Sequence, residues 1–335
     1  MDSKFSREHL FVVNPKSFRE TLNLDSFVSD VKDYFNRVGQ SYFIHISRFP
    51  RDAIRVIRKH MEQVGAGTIV RVYAVGGDGI LFDCLNGIIG VENMELAAVP
   101  YGKSNDFVRT FGEGKTDLFR NIALQASSTT IPTDVIFCGN NYAMNTCTIG
   151  VESYTTHRAV ELNTRWEGFY AKLPRKFARI MYNFAFFWGG ILTSMSLDSV
   201  NHAYSVLIDG KDFSGDYAAI NIANGPCYGG DKCAAIAAVP NDGLLDVMLV
   251  KSMNAVRLVY VMSRYIYGGY RQFPDDILYR RVTQISVRSE KPLVLQLDGE
   301  LFFDTNITIR LLPSAVKIVA PGSTSYERRA MLDES

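Results

Sequence analysis

Charge of one sign is never in excess in this chain: 36 lysines and arginines face 35 aspartates and glutamates, leaving +1 over 335 residues. A global electrostatic attraction to nucleic acid is therefore missing, and affinity for any acidic surface must come from local patches. Cysteine is scarce and odd in number: Cys84, Cys138, Cys147, Cys227 and Cys233 are scattered without a C-x-x-C pair. Such spacing supports neither a zinc site nor a disulfide framework, and reduced thiols in a cytoplasmic protein are expected. The histidines include no i, i+4 pair, so no histidine metal site is expected. The charged start, Met1-Asp2-Ser3-Lys4, lacks the long apolar stretch of a signal peptide.

One stretch, 180–197, is free of charge and reaches the length of a spanning helix. Asn183, Gly189, Gly190, Thr193 and Ser194 lower its hydropathy, so a buried helix running into a strand is expected and a membrane span is not. Lys172, Arg175, Lys176 and Arg179 just before it leave open a surface resting on anionic lipid. Hydrophobic residues make up 47% and charged residues 21%, enough apolar material for two cores.

The first third alternates strand and helix patterns. Strands are expected at 10–14, 42–47, 68–75 and 96–99, and helices at 24–38, 51–64 and 80–89. Phe27, Val31, Tyr34 and Phe35 share one face of the first helix. This alternation predicts a parallel sheet covered on both faces, with ligands at the carboxyl ends of its strands. In the second helix Arg51, Arg55, Arg58 and Lys59 form a basic stripe, read as a solvated face. Beyond about residue 130, short alternating runs at 133–138, 143–149, 203–208, 217–222, 245–250, 284–289, 293–297 and 307–311 predict an antiparallel sandwich or barrel. Helical stretches interrupt it at 155–187 and 252–267.

Two motifs could carry chemistry, and two others only imitate one. Gly76-Gly77-Asp78-Gly79 follows a strand and precedes a helix, where glycine amides approach phosphate closely and the helix N-terminus favours negative charge. A tight strand-to-helix turn explains the same residues. Gly102-Lys103-Ser104 and Gly114-Lys115-Thr116 mimic the tail of a P-loop, but the required earlier glycine is Ala97 in one and Arg109 in the other. Asp298-Gly299-Glu300 places two carboxylates at a strand end, able to accept or orient a hydroxyl proton or hold magnesium. An Asp-Gly hairpin turn is the commoner explanation of that pattern.

Taken in order, Asn14-Pro15-Lys16-Ser17, Gly76-Gly77-Asp78-Gly79, Pro100-Tyr101-Gly102-Lys103-Ser104-Asn105-Asp106-Phe107 with Arg109, Asn224-Gly225 with Gly229-Gly230, Pro240-Asn241-Asp242-Gly243-Leu244-Leu245-Asp246 and Asp298-Gly299-Glu300 form a set. The set resembles the diacylglycerol kinase catalytic-domain family, which also includes sphingosine and ceramide kinases and bacterial soluble lipid kinases. The resemblance spans about residues 10 to 320.

It implies a phosphofructokinase-like three-layer α/β domain, a β-sandwich or barrel domain, and an ATP site in the cleft between them. The corresponding domains are 1–128 and 129–311, with 312–335 returning to the first. It implies nucleotide contacts from Asn14, Pro15, Lys16, Ser17, Phe18, Ser47, Gly76, Gly77, Asp78, Gly79, Ile80, Leu81, Phe82, Lys103, Asn105 and Asp106. It also implies catalytic carboxylates at Asp298 and Glu300, and a structural magnesium held by the Asp242 side chain and the carbonyls of Val239 and Leu244. The implied reaction is magnesium-dependent transfer of the ATP γ-phosphoryl group to a lipid hydroxyl, that of diacylglycerol, at a membrane surface on the inner face. The alternatives are an NAD kinase-like phosphotransferase and a non-catalytic nucleotide- or lipid-binding regulator. Three residues depart from the family pattern: Ile80 replaces a usual Thr, Phe18 a usual Gly, and Lys103 the Thr of a G-T-x-N-D motif. Oligomeric state is not legible in the sequence, although exposed sheet edges of such domains commonly pair into homodimers.

Overall fold

The computed structural model describes residues 6–18, 23–65, 67–170, 202–230 and 232–328, and the apolar stretch 180–197 lies outside them. In the first part, strands β1 (Arg7–Val13), β2 (Tyr42–Ile46), β3 (Ile69–Gly76) and β4 (Met94–Pro100) alternate with helices α1 (Leu24–Val38), α2 (Asp52–Met61) and α3 (Asp78–Ile88). These strands pair in parallel in the order β4-β3-β1-β2.

Successive side chains of a strand face opposite ways, so a doubly covered sheet must be apolar at every position. Here Leu10, Val12, Val70, Val72, Leu96 and Ala98 pack with Ala53, Ile57, Leu81 and Leu85 of α2 and α3. The alternate residues Phe11, Val13, Tyr73, Val75, Ala97 and Val99 pack with Phe27, Val31 and Phe35 of α1. Helix α1 begins where the Asn23 side chain accepts from the Asp25 amide and ends at left-handed Gly39, both favoured helix boundaries.

Short helices α4 (Asp106–Arg109), α5 (Thr116–Arg120) and α6 (Ile122–Ser127) lead into the second part. There follow β5 (Thr130–Cys138), β6 (Asn141–Ala143), β7 (Thr146–Gly150), α7 (Val151–Tyr170), β8 (His202–Ile208), β9 (Lys211–Asp212), β10 (Gly215–Ala223), β11 (Leu245–Lys251), α8 (Ala255–Tyr265), β12 (Ile277–Val282), β13 (Gln284–Leu297) and β14 (Glu300–Val319). Apart from the single parallel bridge of β14 to β4, these strands pair antiparallel, as the short alternating runs predict.

Three of the runs differ from expectation. The run 143–149 breaks at Met144 and Asn145, which leave the sheet between β6 and β7. The runs 284–289 and 293–297 are one strand, β13, whose register shifts between Arg288 and Leu293.

Strand β14 joins the two parts. It starts at Glu300, pairs along β13 and then β5, and ends with Ile318 beside Leu96 of β4. The described strands thereby form one fourteen-stranded sheet, α/β at one end and β-rich at the other.

The cysteine expectation needs correction. Cys227 and Cys233 form a disulfide, their Cα atoms 3.9 Å apart, while Cys84, Cys138 and Cys147 are free and buried. Left-handed Gly229 and Gly230 reverse the chain between the paired residues, a route that C-x-x-C spacing does not describe.

One buried charge braces the junction. Arg71 on β3 is fully buried; its Nε donates to Glu95 Oε2 at 2.7 Å, and its terminal nitrogens donate to the carbonyls of Gln125, Ala126 (3.1 Å) and Ser128 (2.9 Å). The strand pattern at 68–75 contains this arginine without revealing its partners, which come from a different segment. Arg71→Ala would leave the buried Glu95 with only the longer Arg7 contact (3.4 Å) and orphan three carbonyls, and about 3 kcal/mol of stability should be lost in urea unfolding. An unchanged unfolding midpoint would show that these contacts are dispensable.

Candidate active site

Three loops meet at the carboxyl ends of β1, β2 and β3, where parallel sheets place their ligands. After β1, the Asn14 amide donates to the Val75 carbonyl (2.9 Å), and the Asn14 side chain accepts from the Lys16 amide (3.1 Å), capping the turn Pro15–Ser17. After β2, the Ser47 amide donates to the Val13 carbonyl at 2.8 Å. After β3 the chain turns at Gly76 and Gly77 directly into α3, whose first amides have no partner within the helix. A Cβ on Gly76 would stand 2.8 Å from Ile80 and 3.0 Å from Ser17 Oγ, so only glycine lets these loops close up.

The loop after β4 leans on the same turn. The amides of Tyr101 and Gly102 donate to the Gly76 carbonyl at 2.8 and 3.0 Å. A Cβ on Gly102 would lie 2.2 Å from the Cα of Gly77, so the two backbones touch. Asn105, left-handed at φ 52, ties the loop by bonding both the amide and the carbonyl of Gly102 at 3.0 Å. The Asp106 amide donates to Asp78 Oδ1 at 2.7 Å. Lys103 is exposed on this loop and Lys16 on the first.

The side chains of Ile80, Leu81 and Phe82 turn into the cores, so these residues offer a ligand only backbone. The hydroxyl missing at Ile80 is thus replaced by packing against Gly76. Phe18 stacks on Tyr101, ring centroids 4.7 Å apart, and packs against Phe27, so its ring joins an aromatic cluster.

The two late carboxylates belong to a hairpin. Asp298 and Gly299 form its two-residue turn, with φ 45 and 97, between Leu297 and Glu300. The hairpin turn is present as that reading expects, and it also brings Glu300 to the 76–79 turn.

Asp298 Oδ2 accepts from the Met144 amide (2.5 Å), and Oδ1 accepts from the amides of Asn145 and Thr146 (2.9 Å each). Burial pushes its pKa up to about 6, against the downward pull of those amides. Both oxygens are therefore engaged within the protein. Glu300 is the carboxylate that faces outward: its Oε1 lies 3.6 Å from where a Cβ on Gly79 would stand, over the start of α3. Burial raises the Glu300 pKa, the Arg51 guanidinium lowers it, and the Asp83 carboxylate raises it.

Of the stripe read as a solvated face, Arg55, Arg58 and Lys59 are exposed as expected, and Arg51 stands apart from it as the residue before α2. Arg51, left-handed at φ 67, donates its amide to Asp83 Oδ2 (3.0 Å), pairs with Asp83 Oδ1 (3.4 Å) and covers the Phe82 ring at 4.6 Å. Arg55 pairs with Asp52 at 2.8 Å, and Arg58 donates to the Ile89 carbonyl at 2.8 Å. The available signal for Arg51 was its place in the loop after β2, at a carboxyl strand end, rather than its helical spacing.

Behind the turn, Asp106 Oδ1 accepts from the Gly230 amide at 2.8 Å, which brings the loop closed by Cys227 and Cys233 against the site. Burial and the neighbouring Asp78 carboxylate push the Asp106 pKa up to about 7. Burial also raises that of Asp78, opposed by amides at 105–107.

Val239, Asp242 and Leu244 lie apart from this cluster, on the turn before β11. The residues present do not fit a bound metal. Arg281 donates to Asp242 Oδ2, and its Nε lies 4.0 Å from Asp246 Oδ2. Asp242 Oδ1 accepts from the Leu244 amide (3.1 Å), and the Val239 carbonyl accepts from the Asn241 amide (2.8 Å). Among the described residues no cluster of three His, Cys, Asp or Glu side chains could hold an ion. No described helix is long and apolar enough to cross a membrane.

Residues 8–138 match the diacylglycerol kinase catalytic domain, and residues 178–320 match the YegS C-terminal NAD kinase beta sandwich-like domain. A "Putative lipid kinase" of Staphylococcus aureus (strain JH9) is 21% identical over 321 residues, covering 95% of this chain and 98% of that protein. Two solved structures from Bacillus anthracis str. Sterne share the fold. One, described as a "putative diacylglycerol kinase", has a TM-score of 0.68 at 20% identity, and the other, described as a diacylglycerol kinase, has 0.66 at 19%. Both cover 96% of this chain and 99% of their own. With the two domain matches in sequence order, this chain belongs to the diacylglycerol kinase catalytic-domain family of lipid kinases.

Proposed function

We propose that this protein transfers the γ-phosphoryl group of ATP to the hydroxyl of a lipid, with diacylglycerol as acceptor and phosphatidic acid as product. The observation that carries the reading is the placement of the Glu300 carboxylate over Gly79, at the amide-rich start of α3. A phosphate held by those amides would have a proton acceptor beside it, contributed by the β-rich part of the chain.

In this mechanism the amides of the 76–79 turn and the first turn of α3 bind the phosphates. Arg51, beside Asp83 and over Phe82, offsets charge that develops during transfer. The lipid oxygen forms its bond to the γ-phosphorus as the bond to the β-phosphate oxygen breaks, and the hydroxyl proton passes to Glu300. Asp298 positions Glu300 by locking the turn. Magnesium enters as the companion of ATP, part of the substrate. At Asp242 the Arg281 guanidinium takes the place of a structural cation.

The direct test is phosphoryl transfer by purified protein offered diacylglycerol in micelles, sphingoid base, a polyprenol or NAD. Diacylglycerol should be phosphorylated. Transfer to NAD alone would overturn the lipid reading, and ATP binding without transfer to any acceptor would make the protein a regulator.

Glu300→Gln should lower kcat by about 10²–10⁴-fold, the usual contribution of a general base, and leave ATP affinity nearly intact. Because Glu300 must be ionised to take the proton, wild-type activity should fall as pH drops through its raised pKa. The acidic limb of kcat/KM is expected above the ordinary glutamate range and should vanish in the variant. A limb that persists unchanged in Glu300→Gln would assign the proton to another group.

Replacing the internal cation gives a separate expectation. Wild-type melting without nucleotide should be insensitive to Mg2+ or EDTA. Arg281→Ala should lose about 3 kcal/mol, as expected when one partner of an enclosed pair is removed. Mg2+ stabilisation of the wild type that disappears in Asp242→Asn would show instead that a metal displaces Arg281.

A further inference from the structure

Helix α8 is apolar on two faces. Leu258, Val261 and Tyr265 point inward and pack against Met248 and Val250 of β11 and Ala218 and Ala219 of β10. The opposite face carries Val256, Val259 and Tyr260, which are 83%, 58% and 51% exposed, and Tyr267 just beyond the helix is 67% exposed. Positions 256, 259, 260, 263 and 267 form a single stripe at helical spacing. A helix covering a soluble core normally turns charged and polar residues outward. This one turns outward two valines and two tyrosines.

The segment that bears the stripe carries only basic charge. From Asn254 to Gln272 there is no aspartate or glutamate; Arg257 and Arg264 lie on the helix, Arg271 follows it beyond left-handed Gly268, and all three are exposed. Arg257 is matched by Asp276 at 2.5 Å; Arg264 and Arg271 make no ion pair among the described residues. Between Arg264 and the tyrosines lies a hollow of about 480 Å³, lined by Tyr260, Ser263, Arg264, Tyr267, Gly269 and Gln272. Its donors suit a phosphate headgroup.

We propose that this face of α8 docks on an anionic lipid bilayer, with Val256, Val259, Tyr260 and Tyr267 entering the interface and Arg264 and Arg271 meeting the headgroups. Exposed apolar and tyrosine side chains flanked by arginine are the composition that such a surface selects. A second copy of the chain is the poorer match. Across a two-fold axis like patches face each other, so the arginines would meet without acidic partners.

The docking face also connects to the site. The Cys233 amide donates to the Ile266 carbonyl at 2.9 Å, and Gly268 packs against Ile236. The disulfide-closed loop then reaches Asp106 through the Gly230 amide. One short covalently closed segment therefore spans from the proposed membrane surface to the phosphate turn.

The inference rests on the lipid-kinase reading for its purpose but is tested without catalysis. Full-length protein, with neither nucleotide nor diacylglycerol, is floated with vesicles of phosphatidylcholine alone or mixed with phosphatidylglycerol. It should float with the anionic vesicles and less so as salt is raised. The double variants Val256→Asp/Val259→Asp and Arg264→Glu/Arg271→Glu should each reduce the bound fraction about tenfold or more, given the contribution of each arginine near an anionic surface. Their melting should be unchanged, since all four side chains are exposed.

Both variants should phosphorylate dispersed short-chain diacylglycerol like wild type and lose activity on long-chain diacylglycerol in vesicles. Vesicle binding that the variants leave intact would overturn the assignment of this face, as would wild type that stays with the aqueous fraction. So would self-association that depends on these residues without vesicle binding. Face-dependent binding with no phosphoryl transfer to any lipid would sustain the docking surface and remove only the kinase reading.

Discussion

Three consecutive backbone amides, from Met144, Asn145 and Thr146, converge on the carboxylate of Asp298, and the geometry of the site follows from that convergence. A buried carboxylate needs donors, and a chain that leaves a sheet needs acceptors for its amides. Each satisfies the other here. The break between β6 and β7, which would otherwise be a defect in the sheet, becomes the socket for a hairpin turn. Once the turn is seated, the first residue of β14 can only be where Glu300 is, above Gly79.

How much of this was legible depended on the range of the interaction. Helix α1 was read with its observed bounds, because three buried residues at helical spacing and a terminal glycine are all local signals. The parallel strands were read from continuous apolar runs for the same reason. The split at Met144 and the fusion of two runs into β13 were not legible, since each depends on what lies across the sheet. Arg71 shows the limit clearly: a charge within an apolar strand pattern is explained by Glu95 on the neighbouring strand and by carbonyls more than fifty residues away.

Motif residues divide in a similar way. Gly76, Gly77 and Gly102 were identified by pattern, and the structure adds the reason for glycine, a backbone-to-backbone contact between two loops. Arg51 was named for the wrong reason, because helical spacing placed it in a stripe while its left-handed backbone takes it out of one. Cys227 and Cys233 were counted among scattered thiols, and the two glycines between them carry the missing information. Asp242 was mapped by resemblance, but its partner Arg281, which stands opposite Asp246 in the β11–β12 ladder, had no motif to announce it.

The continuity of the sheet limits how substrates are admitted. Because β14 runs from the edge of the reaction site to the flank of β4, interrupted only by a register shift against β5 between Leu312 and Val316, opening the cleft by rotating one half against the other would shear the ladder to β5. Enzymes built from separate lobes exchange ligands by swinging those lobes about a hinge. This architecture is closer to a single girder, so admission and release of substrate fall to the loops mounted on it. Turnover in such a protein should be set by loop rearrangement at constant interlobe angle.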